Sequence, residues 1–457
     1  MTRPNQPIEP KRSKDYNPAL TNFTVFILLL TTGGILSLIL PKPKISEAEK
    51  RELTPFPRFS VEQLFEGNFT DSLDFYYSDN FPFREPFVDV SGALSQNFGY
   101  RANDMRIYKT QAAVENVQPV TKDSVVAAPK DSIVTKTKAA NKDSVKAKVA
   151  ELNSIVIYQG RAFQMFNGSV DNAKYYAQMI NKYQARLGDS AQIYCLVAPT
   201  PIDFYLPMAN KKPRNLEGPN IDTVHAHLDS LVLIARAYDE IAKHTDEYIF
   251  FNTDHHWTAL GAYYAYQSFC EAAGLEAYDL SVFERRVRKR YLGSLYDMTK
   301  DLSLKQNKDS LVSYRVPIPT KTERYVTPKL DSVIKSKLFI EIPTYTMFLG
   351  GDHPLVHIQT EIDNDRRLLV IKDSYGNAVV PFLTMHFSEV YVVDYRYFDR
   401  NLVDFSRRHK ITDVLFLHNT FVVNTRYTAD RELYLMRIWE RRPVLRDTLK
   451  KASNINE

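Results

Sequence analysis

At 457 residues the chain is long enough for one large domain or two ordinary ones, each with an ample core. Its formal charge of +5 is modest and spread along the chain, and no nucleic-acid-binding motif accompanies it, so no nucleic-acid partner is expected. Tyr and Phe are abundant, at 28 and 26; most of these rings belong in a core, and a minority in a cleft would serve as sugar-stacking platforms. Cys195 and Cys270 each lie in an apolar run and read as small core residues rather than a disulfide framework or a metal knuckle.

Residues 1–22 are polar and basic, and read as a cytoplasmic tail. Phe23 to Leu40 is uncharged throughout, and its 18 residues span about 27 Å as a helix, enough for a hydrocarbon core. A cleaved signal peptide is the competing reading. The run is longer than a usual signal core, and Pro41-Lys42-Pro43-Lys44 offers no small-residue cleavage site. The expectation is an uncleaved anchor in a bacterial cytoplasmic membrane with the main domain outside the cytoplasm, although Lys42 and Lys44 dilute the charge bias that sets orientation.

Residues 41–112 read as a membrane-proximal helical segment. Between 113 and 150 a Lys-Asp-Ser-aliphatic unit recurs among Ala, Thr and Lys with no aromatic residue, too little apolar surface to offset ordering entropy. That stretch is expected to be a disordered linker. From 151 to 445 the text is that of a compact domain, and 446–457 is a polar tail.

Within the domain, the spacing predicts a hairpin at Ile155–Phe166, a helix over Ala173–Leu187 and a buried strand at Gln192–Ala198. It further predicts a helix over 221–244, a short strand at Tyr248–Phe251, side-region strands at Val287–Tyr296 and Leu311–Val316, and a strand at Tyr345–Leu349. The final third alternates most clearly: strands at Arg367–Ile371, Val390–Val393 and Val414–Leu417 are separated by helices at Gly376–Phe387 and Asn401–His409. Such alternation implies an α/β domain built on a mostly parallel sheet covered on both faces.

Chemistry concentrates in Thr253-Asp254-His255-His256-Trp257-Thr258, just before a helix-like run. In an extended segment side chains two apart share a side, so Asp254 can orient the His256 imidazole, while His255 points away. The plainer alternative is a helix N-cap with packing aromatics. A metal site is a third, since adjacent histidines do act as ligands, but the i, i+4 pair of zinc proteases is missing. Ser374 sits in Lys372-Asp373-Ser374-Tyr375-Gly376 at a strand-to-helix turn, where unpaired backbone N–H groups can stabilise an oxyanion. A serine needs a base to become a nucleophile, and His256 is the candidate. For Ser374 alone, a simple N-cap is the alternative.

These motifs, together with Phe348-Leu349-Gly350-Gly351-Asp352-His353-Pro354, Asp394-Tyr395-Arg396-Tyr397-Phe398, Ser78 to Arg84 and Leu292-Gly293-Ser294-Leu295-Tyr296, resemble the bacterial DHHW protein family. That family is similar to the SGNH-like domains of alginate O-acetylation proteins. The resemblance implies an SGNH-hydrolase-like three-layer domain, with Ser374 as nucleophile, His256 as base and Asp254 as orienter. It departs at Lys372, where the usual block has Gly, so the turn and oxyanion hole are expected to differ. Candidates for that hole or for substrate are Gly350, Gly351, Asn377 and Arg396. The function implied is O-acyl transfer or ester cleavage on a cell-envelope or exported glycan, with a multispanning membrane acyltransferase as partner and no cofactor or metal. The competing class is a carbohydrate-binding or scaffold protein with a relict triad.

Overall fold

The computed structural model of the chain describes residues 18–40, 45–46, 68–84, 105–109, 154–207 and 216–438, with isolated positions between 51 and 94. The expected linker at 113–150, the tail at 446–457 and the residues before 18 lie outside the described residues. The chain divides into two compact units, 1–98 and 99–457.

In the first unit, helix α1 (Pro18–Ile39) contains the uncharged run except Leu40 and begins before Phe23. Pro18 suits a first helical position, where its missing N–H costs nothing, and residues 19–22 carry no charge. Residues 18–37 are long and apolar enough to cross a membrane. Helix α2 (Asn68–Asp79) packs Tyr76 edge-on against Phe56 at 5.1 Å, and Asn80 beyond it donates to the Thr54 carbonyl.

The second unit begins with the antiparallel strands β1 (Arg106–Lys109), β2 (Ser154–Tyr158) and β3 (Arg161–Gln164). Helix α3 (Val170–Leu187) follows, its first turn capped by Ser169, and then β4 (Gln192–Ala198). The single helix expected over 221–244 is instead helix α4 (Gly218–Ala226), strand β5 (Val232–Ala235) and a short helix at Ala237–Ala242. An Asp229 turn, accepting from the Leu231 and Val232 amides, breaks the helix and lets β5 join β4 as a parallel edge strand. Sheet pairing thus overrides the helical spacing.

Helix α5 (Ala259–Ala273) is capped by Thr258 at its start and by Gly274, at φ 61°, at its end. Then come a hairpin of β6 (Glu284–Tyr291) with β7 (Asp309–Arg315), and the strands β8 (Thr320–Tyr325), β9 (Val333–Ser336) and β10 (Leu355–Thr360). The last part runs β11 (Arg367–Lys372), α6 (Gly376–Leu383), β12 (Glu389–Asp394), α7 (Leu402–Arg408), β13 (Asp413–Asn419) and α8 (Arg426–Arg437).

The large sheet has the order β9-β8-β10-β12-β11-β13-β4-β5. The strands from β12 to β5 are parallel; β10, β8 and β9 extend the sheet in antiparallel fashion, leaving four of seven pairings parallel. Period-two alternation explains why it is covered on both sides. Leu368, Val370, Leu415 and Leu417 enter one core with α5 and α6, whereas Leu369, Ile371, Val414 and Phe416 enter the other with α3, α7 and α8. The result is a three-layer α/β domain whose parallel strands end together at Ala198, Lys372, Asp394 and Asn419.

Candidate active site

The Asp254 segment is not a strand tip. Tyr248–Phe251 forms no sheet strand; Phe250 pairs with Trp257 in an isolated antiparallel bridge, closing a tight loop over 251–256. Backbone hydrogen bonds from Phe251 to the His256 carbonyl and from Thr258 to the Ile249 carbonyl tie its base. Asp309, at the start of β7, holds its interior by accepting from the Asn252 and Thr253 amides, the Thr253 hydroxyl and the Tyr248 hydroxyl. The loop is therefore fixed by a distant carboxylate rather than by its own sequence.

Inside it, Asp254 Oδ1 lies 2.6 Å from His256 Nδ1 and also accepts from the His256 amide at 3.0 Å. Its Oδ2 accepts from the Tyr291 hydroxyl at 2.6 Å and the Ser294 amide at 2.9 Å. Burial favours the neutral acid, yet His256, its hydrogen bond, His255 and Tyr291 together hold this carboxyl well below the usual range. Glycine at 293 is required by close approach: a Cβ there would fall 2.3 Å from the Asp254 Cβ.

His256 Nε2 lies 2.7 Å from Ser374 Oγ. Its ring stacks on Tyr345 with centroids 3.7 Å apart and planes 7° from parallel. Tyr345 begins a 3₁₀ turn (Tyr345–Met347) where the sequence predicts a strand, and its hydroxyl donates to the Ser374 carbonyl at 3.1 Å. His255 does not point away as an extended segment would require. Its centroid is 3.8 Å from that of His256, its Nδ1 meets Ser294 Oγ at 2.6 Å, and burial, then His256, pushes its pKa down to about 3. Asp254, His255 and His256 offer donor atoms within 4.8 Å of one another, a spacing compatible with a metal. Both nitrogens of His256 and Nδ1 of His255 are, however, already engaged by Asp254, Ser374 and Ser294.

Ser374 lies between β11 and α6 and is 9% exposed. Asp373 shapes this turn by accepting from the Tyr375 amide at 2.8 Å and, across to the end of β13, from the Asn419 amide at 2.6 Å. Trp257 Nε1 donates to the Tyr375 carbonyl, and the Tyr375 hydroxyl to the His255 carbonyl, so the two loops brace each other. Among the described residues, the Ser374 N–H has no acceptor, which leaves it open for an oxyanion.

Three of the other oxyanion candidates, Asn377, Arg396 and Gly351, are engaged elsewhere. Asn377 Nδ2 donates to Asp352 at 2.8 Å, and Arg396 binds Asp352 and Asp394 at 2.8 and 2.7 Å. The Gly351 amide donates to the Phe348 carbonyl, and Gly350 packs against Arg324. Lys372 completes the cluster, with Nζ 2.7 Å from Asp352 and 3.1 Å from Asp394. Burial opposes its charge, but the two carboxylates raise its pKa above the ordinary lysine value. Lys372 is thus a buried counter-ion. Gly376 makes room for its stem, since a Cβ at 376 would approach Lys372 Cβ to 2.7 Å.

A family profile described as DHHW protein matches residues 49–110 and 104–393. The chain belongs to the DHHW protein family. Among solved structures, this DHHW protein is similar to a DHHW family protein from Eubacterium siraeum DSM 15702 (32% identity, 61% of this chain and 94% of that chain covered, TM-score 0.57). It is also similar in fold to Bacillus cereus PatB1 bearing a sulfonyl adduct, at 17% identity over 60% of this chain and 97% of that chain, TM-score 0.52. The O-acetyltransferase domain of Pseudomonas putida AlgJ matches more distantly, at 14% identity over 62% of this chain and 99% of that chain, TM-score 0.37. No curated protein matches the sequence. The domain is SGNH-hydrolase-like, with the sequence-predicted Asp254, His256 and Ser374 within hydrogen-bonding reach of one another in series.

Sequence reasoning did not single out Tyr291, Ser294, Asp309 or Tyr345 as site residues. Each acts on the loop or ring from at least 29 positions away, as the separations to Asp254, His255, Thr253 and Ser374 show. Leu292-Gly293-Ser294 was the one signal, carried by the family motif.

Proposed function

We propose that this DHHW protein moves an acyl group, acetyl by preference, onto or off a hydroxyl of a cell-envelope or exported glycan. The observation that best supports this reading is the unbroken hydrogen-bond series Asp254–His256–Ser374, at 2.6 and 2.7 Å. The similarity of the family to alginate O-acetylation proteins supports the glycan and the acetyl group. Ser374 Oγ attacks the acyl carbonyl carbon of the donor ester while His256 Nε2 takes its proton. The developing oxyanion meets the Ser374 N–H. The leaving alcohol departs with the proton from His256, giving an acyl-serine. A sugar hydroxyl or water then gives its proton to His256, attacks the acyl-serine and regenerates Ser374. Asp254 keeps Nδ1 protonated, so that Nε2 faces Ser374 as an acceptor.

Helix α1 anchors the chain in the bacterial cytoplasmic membrane with the second unit outside the cytoplasm, and a multispanning acyltransferase supplies the acyl group. The test is a serine-directed sulfonyl fluoride applied to the full chain in detergent. Ser374 is labelled, and labelling is lost in Ser374→Ala and falls by about three to four orders of magnitude in rate in Asp254→Asn, where the imidazole loses its working tautomer. A chelator leaves labelling unchanged. Unlabelled protein that still binds glycan would favour a non-catalytic carbohydrate-binding role; chelator sensitivity with equal loss from His255→Ala and His256→Ala would favour a metal.

A further inference from the structure

Strand β6 reads Glu284-Arg285-Arg286-Val287-Arg288-Lys289-Arg290-Tyr291, five basic residues among eight, and nearly all of it is exposed. A strand whose faces are both polar is not built for a core. Its cross-strand register sets Arg286 opposite Ser313 and Arg288 opposite Leu311. On that shared face lies a cavity of about 320 Å³ lined by Arg286, Arg288, Ser313, Arg315, Glu341 and Met347.

Two buried polar atoms of residues that line it lack a protein partner. Ser313 is 1% exposed and its Oγ is unbonded, as is the buried Nε of Arg315. A buried hydroxyl and a guanidinium N–H left unpaired are costly unless something fills the cavity. The Glu341 carboxylate stands across the mouth, pairing with Arg288 and with Arg315. Each guanidinium carries five N–H donors, and these pairs with Glu341 use one on each.

We propose that this cavity is an anion subsite, which takes a carboxylate or phosphate group on the glycan chain, with Glu341 occupying the anion's place until the ligand displaces it. The inference rests on the glycan reading above and specifies the substrate as an acidic polysaccharide. Arg286 pairs in a similar way with the exposed Glu284, at 2.8 and 3.2 Å, and a carboxylate that displaces these exposed pairs fits the planar arginine forks in bidentate fashion. Val287, which is exposed, supplies apolar surface for the C–H face of a sugar ring. The concavity favours a saccharide over a membrane, which needs a flat basic face with projecting apolar residues.

The cavity is joined to the candidate active site by chain connectivity on two sides. Tyr291, at the end of β6, donates to Asp254, and Tyr345, two residues before Met347, stacks on His256. At a rise of roughly 3.3 Å per residue, Arg288 and Arg286 lie about 10 and 17 Å along the strand from Tyr291. In this proposal one acidic chain occupies the anion subsite while a nearby hydroxyl reaches Ser374.

The test is titration calorimetry of the full chain in detergent with oligogalacturonate, poly(glycerol phosphate), a neutral cello-oligosaccharide and vesicles containing anionic lipid. The expected result is binding of a polyanionic polymer that weakens with salt, and the stronger of the first two ligands identifies the acidic group. Arg286→Ala combined with Arg288→Ala weakens it about tenfold or more. Glu341→Gln tightens it several-fold, because the internal competitor is gone, a change that a merely structural carboxylate would not produce. Ser374→Ala keeps the binding, which separates this inference from the fate of the acyl-transfer reading. Equal affinity for the neutral oligosaccharide, weaker binding in Glu341→Gln, or binding to anionic vesicles alone would overturn it.

Discussion

Replacing Lys372 with Met tests the buried charge cluster at the end of β11. Lys372 is 1% exposed and Asp394 is fully buried, so the ammonium is a true interior charge. Its removal leaves the two carboxylates of Asp352 and Asp394 to share one cation among the described residues, the Arg396 guanidinium. Breaking a buried ion pair by deleting one partner costs about 3–5 kcal/mol, because the remaining charge has no compensation. For a domain of this size that corresponds to a fall in melting temperature of roughly 5–15 °C. The assay is thermal and urea unfolding of the full chain, followed by circular dichroism at two pH values. In the wild type, Lys372 and Arg396 outweigh burial and hold Asp352 well below the usual carboxylate range. That stability is present above the unfolded carboxylate pKa and is lost as pH falls through the depressed one. The variant instead carries an uncompensated carboxylate that acid neutralises. Its deficit relative to wild type therefore shrinks as pH falls from 8 towards 4. A variant with unchanged melting temperature, or a deficit independent of pH, would refute the reasoning.

Three further outcomes are expected. Gly293→Ala places a methyl group 2.3 Å from Asp254 Cβ, so it destabilises the fold by about 1–3 kcal/mol and lowers Ser374 labelling together, read by urea unfolding and the sulfonyl reagent. His255, part-buried with a pKa of about 3, contributes stability that is complete above its unfolded value and lost as pH falls toward 3; His255→Gln removes up to about 1.4 kcal/mol per pH unit of that acid-side slope, read from unfolding midpoints. The full chain stays with the membrane pellet after alkaline carbonate washing, and deletion of residues 1–40 releases it into the supernatant.

Strands β4, β11 and β13 were legible because each is an unbroken apolar run ended by turn residues, and buried parallel strands need nothing else. Strand β5 was not, since Val232-Leu233-Ile234-Ala235 continues a helical spacing and becomes a strand through its pairing with β4. The candidate triad was legible from family motifs and from the Asp-x-His spacing, but its supports were not. The tripeptide Lys-Asp-Ser shows why. At 372–374 it carries a buried counter-ion, a turn-shaping carboxylate and the candidate nucleophile, whereas at 308–310 its Asp309 clamps the Asp254 loop. The same letters do different work because partners elsewhere in the chain decide it, 20 and 118 residues away for Lys372 and Ser374 and 56 for Asp309.

The clamped imidazole has a kinetic consequence. His256 is bound through Nδ1, stacked on Tyr345 and set beside His255, so it has no room to swing between two positions. A base that cannot swing must serve donor and acceptor from the same spot. In turnover through an acyl-serine, the first alcohol has to vacate that spot before the second hydroxyl enters it. The two substrates then take turns, and double-reciprocal plots at several fixed acceptor concentrations run parallel rather than meeting at a point.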